Sequence, residues 1–131
     1  MSFVTEIPAA ESAAAARHFA ATLRFETDCW DVHHALVCRA ADFVLLDVRS
    51  PELFAAGHIK GAINLPHRKI VASRLSHFPI GTMFVVYCAG PHCNGATRAA
   101  LRLARADRPV KLMPGGITGW LEEGFELVTE Q

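Results

Sequence analysis

The stretch Met83 to Arg105 reads MFVVYCAGPHCNGATRAALRLAR and constrains the fold more than any other. An unbroken apolar run, Met83–Tyr87, meets Cys88, then a short loop, then a strongly helix-forming segment from Asn94. A buried strand feeding a helix through a tight loop puts that loop at the carboxyl end of the strand, where open α/β sheets carry their sites. Loop N–H groups and the amino end of a helix together make a natural anion site. A cysteine held there is expected as a stabilised thiolate, the nucleophilic form of the thiol. Cys88 is therefore the candidate nucleophile, and the rest of the chain is read as the builder of its pocket.

The remaining segments predict alternating strands and helices. Ala9–Leu23 is Ala-rich without Gly, and predicts a helix with Pro8 in its first turn and an apolar face of Ala14, His18, Phe19 and Leu23. Leu23–Thr27 reads as a short strand. Asp28 offers an N-cap to a helix over Cys29–Arg39, with Trp30, Val37 and either His34 or Leu36 turned inward. Asp42–Val48 is apolar without alternation, which fits a parallel strand covered on both faces. Ser50-Pro51-Glu52 opens a helix that Gly57 stops. Gly57–Pro66 holds a turn and a very short strand, and His67–His77 a helix or broken helix. After the Asn94–Ala106 helix, Pro109–Met113 makes a last strand, Pro114-Gly115-Gly116 turns sharply, and Ile117–Gly124 closes the chain as a helix carrying Trp120. The pattern predicts an α/β fold with about five short parallel strands joined by right-handed crossovers.

Composition bounds the function classes. At 131 residues the chain is read as one domain, and its 51% apolar content supplies a core. Thirteen acids balance thirteen bases, which argues against a nucleic-acid footprint or a polybasic membrane patch. The longest apolar runs fall far short of the roughly 20 residues a membrane helix needs. No leader is read at the amino end, and four cysteines in so apolar a chain do not suggest a disulfide scaffold. The cytoplasm is the expected compartment, and no cofactor or metal is expected.

Four pieces taken together resemble the rhodanese homology domain: Asp47-Val48-Arg49-Ser50-Pro51-Glu52 after a strand, Gly57-His58-Ile59-Lys60-Gly61-Ala62-Ile63-Asn64, Val85-Val86-Tyr87-Cys88, and Gly115-Gly116-Ile117-Thr118-Gly119-Trp120. Order and spacing match from about Leu23 to Leu127. Residues 1–22 fall outside and are expected as an amino-terminal helical extension to a rhodanese-like domain over 23–131. The resemblance implies a five-stranded parallel sheet flanked by helices and sulfur transfer through a cysteine persulfide. Its partners would be a small sulfur-containing donor and a thiol or protein-thiol acceptor. The loop Cys88-Ala89-Gly90-Pro91-His92-Cys93-Asn94 is similar to a Cys-x-Gly-Pro-x-Cys-Asn pattern of bacterial single-domain members. It departs from thiosulfate-using members, which often carry Arg or Lys in this loop, and Lys60 stands where the family commonly has Pro.

The residues leave several roles open. Cys88 is the expected persulfide carrier, with Ala89, Gly90, Pro91, His92, Cys93 and Asn94 as the substrate-binding loop. Cys93 either packs at the helix start or resolves a Cys88 persulfide as a disulfide, which needs Cα atoms roughly 4.4–6.8 Å apart. A zinc site from Cys88, His92 and Cys93 lacks a second ligand pair. A cysteine-phosphatase loop would need Arg where Asn94 stands, and Arg98 lies a helical turn too far along. Arg98, Arg102 and Arg105 read as a solvent stripe opposite Ala96, Ala100 and Leu103. In the resembling family Asp47 and Arg49 support the loop, with Glu52 an alternative partner for Arg49. Gly116 lets a turn approach the loop closely. His58 reads as structural, and Trp120 as core or a pocket wall. The rival to a transferase is a regulatory module using Cys88 and Cys93 as a redox sensor.

Overall fold

The computed structural model describes residues 1–129. Its elements, in chain order, are α1 (Phe3–Glu6), α2 (Ser12–Phe25), α3 (Cys29–Val37), β1 (Val44–Asp47), α4 (Pro51–Ala56), β2 (Ile63–Asn64), a 3₁₀ turn (His67–Lys69), α5 (Ala72–Leu75), β3 (Phe84–Tyr87), α6 (Gly95–Arg105), β4 (Val110–Leu112) and α7 (Gly116–Glu122). The strands form one parallel sheet in the order β2-β1-β3-β4. β3, which ends at the reactive loop, is therefore central.

Strand alternation splits the core into two layers. Leu46, Phe84, Val86 and Cys88 face Ala96, Ala99 and Leu103 of α6. Leu45, Val85 and Tyr87 face the other way, toward Cys29 and Val32 of α3 and Trp120 of α7. Neither face of the central strands meets water, which explains their unbroken apolar sequence. Each fully buried Leu, Val or Phe side chain contributes about 1.5–3 kcal/mol. No helix among the described residues is long and apolar enough to cross a membrane.

The caps work as their sequences dictate. Asp28 Oδ1 accepts from Asp31 N at 2.8 Å, and Ser50 Oγ accepts from Leu53 N at 3.3 Å, with Pro51 at the first helical position. Gly57 ends α4 in an extended conformation, at φ 170°. The His67–His77 segment is a broken helix: the 3₁₀ turn, then α5.

The amino-terminal third departs from expectation. The expected helix begins at Ser12 rather than Ala9, and Pro8 lies outside it. A separate single turn, α1, forms first because Ser2 and Thr5 exchange capping bonds. The expected strand over Leu23–Thr27 does not form, because α2 continues through Phe25. What remains of it is a one-residue parallel bridge from Glu26 to Leu112, with Thr27 N donating to Leu112 O at 2.9 Å. The sheet thus has four strands, with this bridge at its β4 edge. α2 buries no residue fully. Its half-covered side is Ala14, Ala15, Ala21 and Thr22, whereas Phe19 and Leu23 are exposed. In α3 the buried stripe is Cys29 and Val32 with Leu36 packed alongside, an i, i+3, i+7 set, so Trp30 and Val37 face outward.

Candidate active site

β3 delivers Cys88 to the carboxyl edge of the sheet, and α6 starts at Gly95. The intervening loop folds back so that Cys93 N donates to Gly90 O at 3.1 Å. Cys88 Sγ and Cys93 Sγ come to 2.7 Å, with Cys88 buried and Cys93 exposed. Gly95 N donates to Cys93 Sγ at 3.4 Å. Gly95 itself is tightly placed: a Cβ there would lie 3.0 Å from Cys88 Sγ and 3.4 Å from Cys93 Sγ.

The first turn of α7 clamps this loop from the other side. Ile117 N donates to Cys88 O at 3.1 Å, and Thr118 N to Ala89 O at 2.9 Å. The Thr118 hydroxyl also donates to Ala89 O, at 3.1 Å. Gly116 makes the approach possible. It sits at φ +56°, and a Cβ on it would fall 2.5 Å from Cys88 O and 2.9 Å from Gly90 N.

Burial works against the Cys88 thiolate that the sequence leads one to expect. Burial pushes the Cys88 thiol up to about 11, helped by the hydrogen bond with Cys93 and the charges of Cys93 and Asp47, against a favourable Ala89 amide. Cys93 is held below the ordinary thiol value chiefly by the hydrogen bond with Cys88, against a burial penalty, with the Gly95 and Ala89 amides adding smaller lowering contributions. Two adjacent anions repel, so the pair loses its first proton as a unit; burial disfavours the charge on Cys88 and the Gly95 and Ala89 amides favour it on Cys93. Across the 2.7 Å contact either sulfur can donate to the other.

Beneath the loop lies a buried ionic network. Asp47 is 0% exposed and is gripped by Arg49, whose Nη2 donates to Oδ2 at 2.7 Å and Nε to Oδ1 at 3.0 Å. Arg49 N adds a bond to Oδ1 at 3.0 Å, and Nη2 also donates to Gly57 O at 2.6 Å. Burial works against the guanidinium charge, but the hydrogen bonds and charge of Asp47 outweigh it and raise the Arg49 pKa. The expected alternative partner, Glu52, makes no ion pair among the described residues. Sequence reading missed two members. Tyr87 donates its hydroxyl to Asp47 Oδ2 at 2.7 Å and accepts from Ile59 N at 3.2 Å. Burial first, then the Asp47 charge, holds that phenol far above its usual pKa. Asn64 Nδ2 donates to Asp47 O and Arg49 O, both at 3.0 Å. A lone Tyr in an otherwise apolar strand was the available signal, because a buried hydroxyl needs a partner.

The other singled-out residues separate. Pro91, His92 and Asn94 are exposed on the loop. His58 stacks on Phe54 with Nδ1 2.8 Å from Phe54 O, away from the thiols. Trp120 is buried on the α3 side, donating to Glu126 O at 3.0 Å, and does not wall the Cys88 loop. Among the described residues no group of three or more His, Cys, Asp or Glu is arranged to hold a metal ion.

A model of the rhodanese-like domain matches residues 31–123. The chain belongs to the rhodanese-like family. A sulfurtransferase of Allochromatium vinosum is 30% identical over 90 residues, covering 69% of this chain and 82% of that protein. An HTH-type transcriptional regulator of Mycobacterium tuberculosis is 42% identical over 87 residues, covering 66% of this chain. The chain spans only 38% of the length of that regulator. The crystal structure of the BH2092 protein of Bacillus halodurans superposes with a TM-score of 0.86 at 34% identity, covering 88% of this chain and 85% of that one. The rhodanese-like sheet, its crossover helices and the loop after its central strand are thus the frame that holds Cys88.

Proposed function

We propose that this chain is a sulfurtransferase that carries sulfane sulfur on Cys88. The observation that supports it most is the position of that thiol. It is buried at the end of the central strand, clamped through its carbonyl by α7, and in contact with the exposed, amide-bound sulfur of Cys93. Sulfur enters when Cys88 attacks the outer sulfur of a donor R–S–S⁻. As the Cys88 thiol attacks, its proton passes to the adjacent Cys93 sulfur, the donor's S–S bond breaks, and R–S⁻ leaves. An acceptor thiolate then attacks the outer sulfur of the Cys88 persulfide and takes it, and Cys88 departs as the thiolate. The loop residues Ala89–Asn94 form the mouth of the site, and Asp47, Arg49 and Gly116 hold the loop's shape. With neither Arg nor Lys in the loop, a persulfide donor fits better than thiosulfate, and a thiol or protein thiol is the acceptor. The working unit is residues 23–131, with 1–22 as an extension, and the compartment is the cytoplasm, where such thiols stay reduced.

The 2.7 Å sulfur contact also favours a second reading, a redox sensor. The Cys93 thiolate attacks the inner sulfur of the Cys88 persulfide, forming the Cys88–Cys93 disulfide and releasing HS⁻. The mycobacterial relative is named as a transcriptional regulator, which suits a signalling use. Turnover with a persulfide donor separates the two. Loss in Cys88→Ser, with turnover slowed but not abolished in Cys93→Ser, supports the transferase. No turnover in wild type, with reversible loss of two thiols on oxidation, supports the sensor.

A further inference from the structure

A second concavity adjoins the reactive loop on the α6 side. It is an open groove of about 790 Å³ whose polar lining is His67, Arg68, Asn94, Arg98, Arg102 and Arg105, with no Asp or Glu. The chain as a whole is balanced, so four guanidiniums on one groove are a local excess. The helical stripe alone supplied three of them; the fold adds Arg68 from the 3₁₀ turn.

No ion pair among the described residues accounts for these arginines. Among the described residues the only ion pair is Arg49–Asp47, so none of the four has a carboxylate partner. Arg98 and Arg102 are like charges four apart, which destabilises a helix. Arg98 also lies near the amino end of α6, where the helix dipole disfavours a cation, although Arg102 and Arg105 suit the carboxyl end. Arg98 Nε donates to Asn94 Oδ1 at 3.2 Å, which ties its guanidinium to the loop. His67 completes the wall. Its Nδ1 is buried without a hydrogen-bond partner, and burial, then Arg68, Arg102 and Arg98, lower its pKa, consistent with its place among those charges.

The groove meets the reactive loop at Asn94. The point where a Gly95 Cβ would sit is 3.7 Å from His67 Cδ2, 3.0 Å from Cys88 Sγ and 3.4 Å from Cys93 Sγ. Gly95 packs between His67 of the groove wall and both sulfurs. Its volume suits a small molecule. Guanidiniums bind carboxylates and phosphates through paired N–H donors.

We propose that this groove binds the anionic groups of a small thiol acceptor, carboxylates or phosphates, and presents its sulfur to the Cys88–Cys93 loop. The proposal rests on the persulfide reading above and adds the acceptor's chemical class.

The test compares kcat/KM for mercaptosuccinate and for 2-mercaptoethyl phosphate with that for neutral 2-mercaptoethanol, using a persulfide donor. In an R98Q/R102Q variant the anionic-to-neutral ratio falls roughly tenfold, the loss of a charge-assisted contact. It holds in K60Q, which removes a cation from the opposite face. The larger fall, for carboxylate or for phosphate, identifies the group. A ratio unchanged for both anions overturns the proposal, as does inhibition by a poly-glutamate peptide with no preference among the small thiols. Calorimetric binding of tricarballylate and pyrophosphate, weakened in R98Q/R102Q and in R105Q, reads the groove without turnover. If Cys88 takes up no sulfur but these anions bind, the persulfide reading fails and the anion site stands. If Cys88 loads but neither anion binds, the groove assignment fails alone.

Discussion

Cys88 Sγ lies 2.7 Å from Cys93 Sγ, the first buried and the second facing water at an amide-lined helix start. The contact makes the two thiols one titrating unit and divides their roles. Burial disfavours the charge on Cys88, and the amides at the helix start favour it on Cys93. In wild type, iodoacetamide should therefore modify Cys93 first, at a pH below the ordinary thiol range. In Cys93→Ser the thiolate neighbour is gone, so Cys88 should titrate below about 11 while remaining raised by burial. Peptide mass mapping across pH 6 to 11 (about the thiol range) checks both. Cys88 labelled ahead of Cys93 near neutral pH would contradict the assignment.

Gly116 and Gly124 both have positive φ, +56° and +82°, but only Gly116 is crowded. Alanine at Gly124 should incur the backbone strain alone, about 1 kcal/mol. At Gly116 the same substitution adds a collision with Cys88 O and should exceed it by about 1–3 kcal/mol, displacing the loop. Urea unfolding of the two variants measures the difference; equal losses would show that the α7 turn does not fix the loop.

The Asp47–Arg49 pair is buried, so Asp47→Asn leaves the guanidinium without its counter-charge. A loss of about 3–5 kcal/mol is expected. Tyr87→Phe removes one bond to the carboxylate and the partner of Ile59 N, and should cost about 1.5–3 kcal/mol. The double variant should lose less than the sum of the two, because both act on one network. Additive losses in denaturant titrations would mean that the groups are not coupled.

Cys29 is buried beneath α7, its sulfur 3.8 Å from Gly116 O. Burial first, then Asp28 and Glu123, push its thiol up to about 11 from 9.0. The folded state favours the neutral thiol. Its contribution is whole below the unfolded pKa and is lost as pH rises from about 9 to about 11. Tm should therefore fall over that window more steeply in wild type than in Cys29→Ala. Parallel slopes in scanning calorimetry would remove this thiol from the alkaline transition.

Much of this was legible along the chain because local chemistry and fold agreed. The apolar run before Cys88, the Ser50-Pro51 start, the Asp28 cap and the Gly115-Gly116 turn each constrain the backbone within a few residues. The amino-terminal segment was not legible in this way. Leu23–Thr27 alternates as a strand would, yet the Ala-rich helix before it runs on, and only its end, Glu26-Thr27, reaches the sheet. Trp30 and Val37 share one helical stripe in the sequence, but the neighbouring stripe of Cys29, Val32 and Leu36 is the buried face. The site's electrostatics were hidden because they depend on residues distant in sequence. No local pattern joins Tyr87 to Asp47, or Arg68 to the α6 arginines. The raised Cys88 pKa follows from depth in the fold and from the sulfur beside it, neither of which a strand-loop-helix pattern specifies.

The most direct test is the intact mass of the reduced protein after exposure to a persulfide donor. Wild type and Cys93→Ser should each gain one sulfur, about 32 Da, removable by a thiol reductant, and Cys88→Ser should gain none. No gain in wild type with any sulfane donor, or a gain that persists in Cys88→Ser, would contradict Cys88 as the carrier.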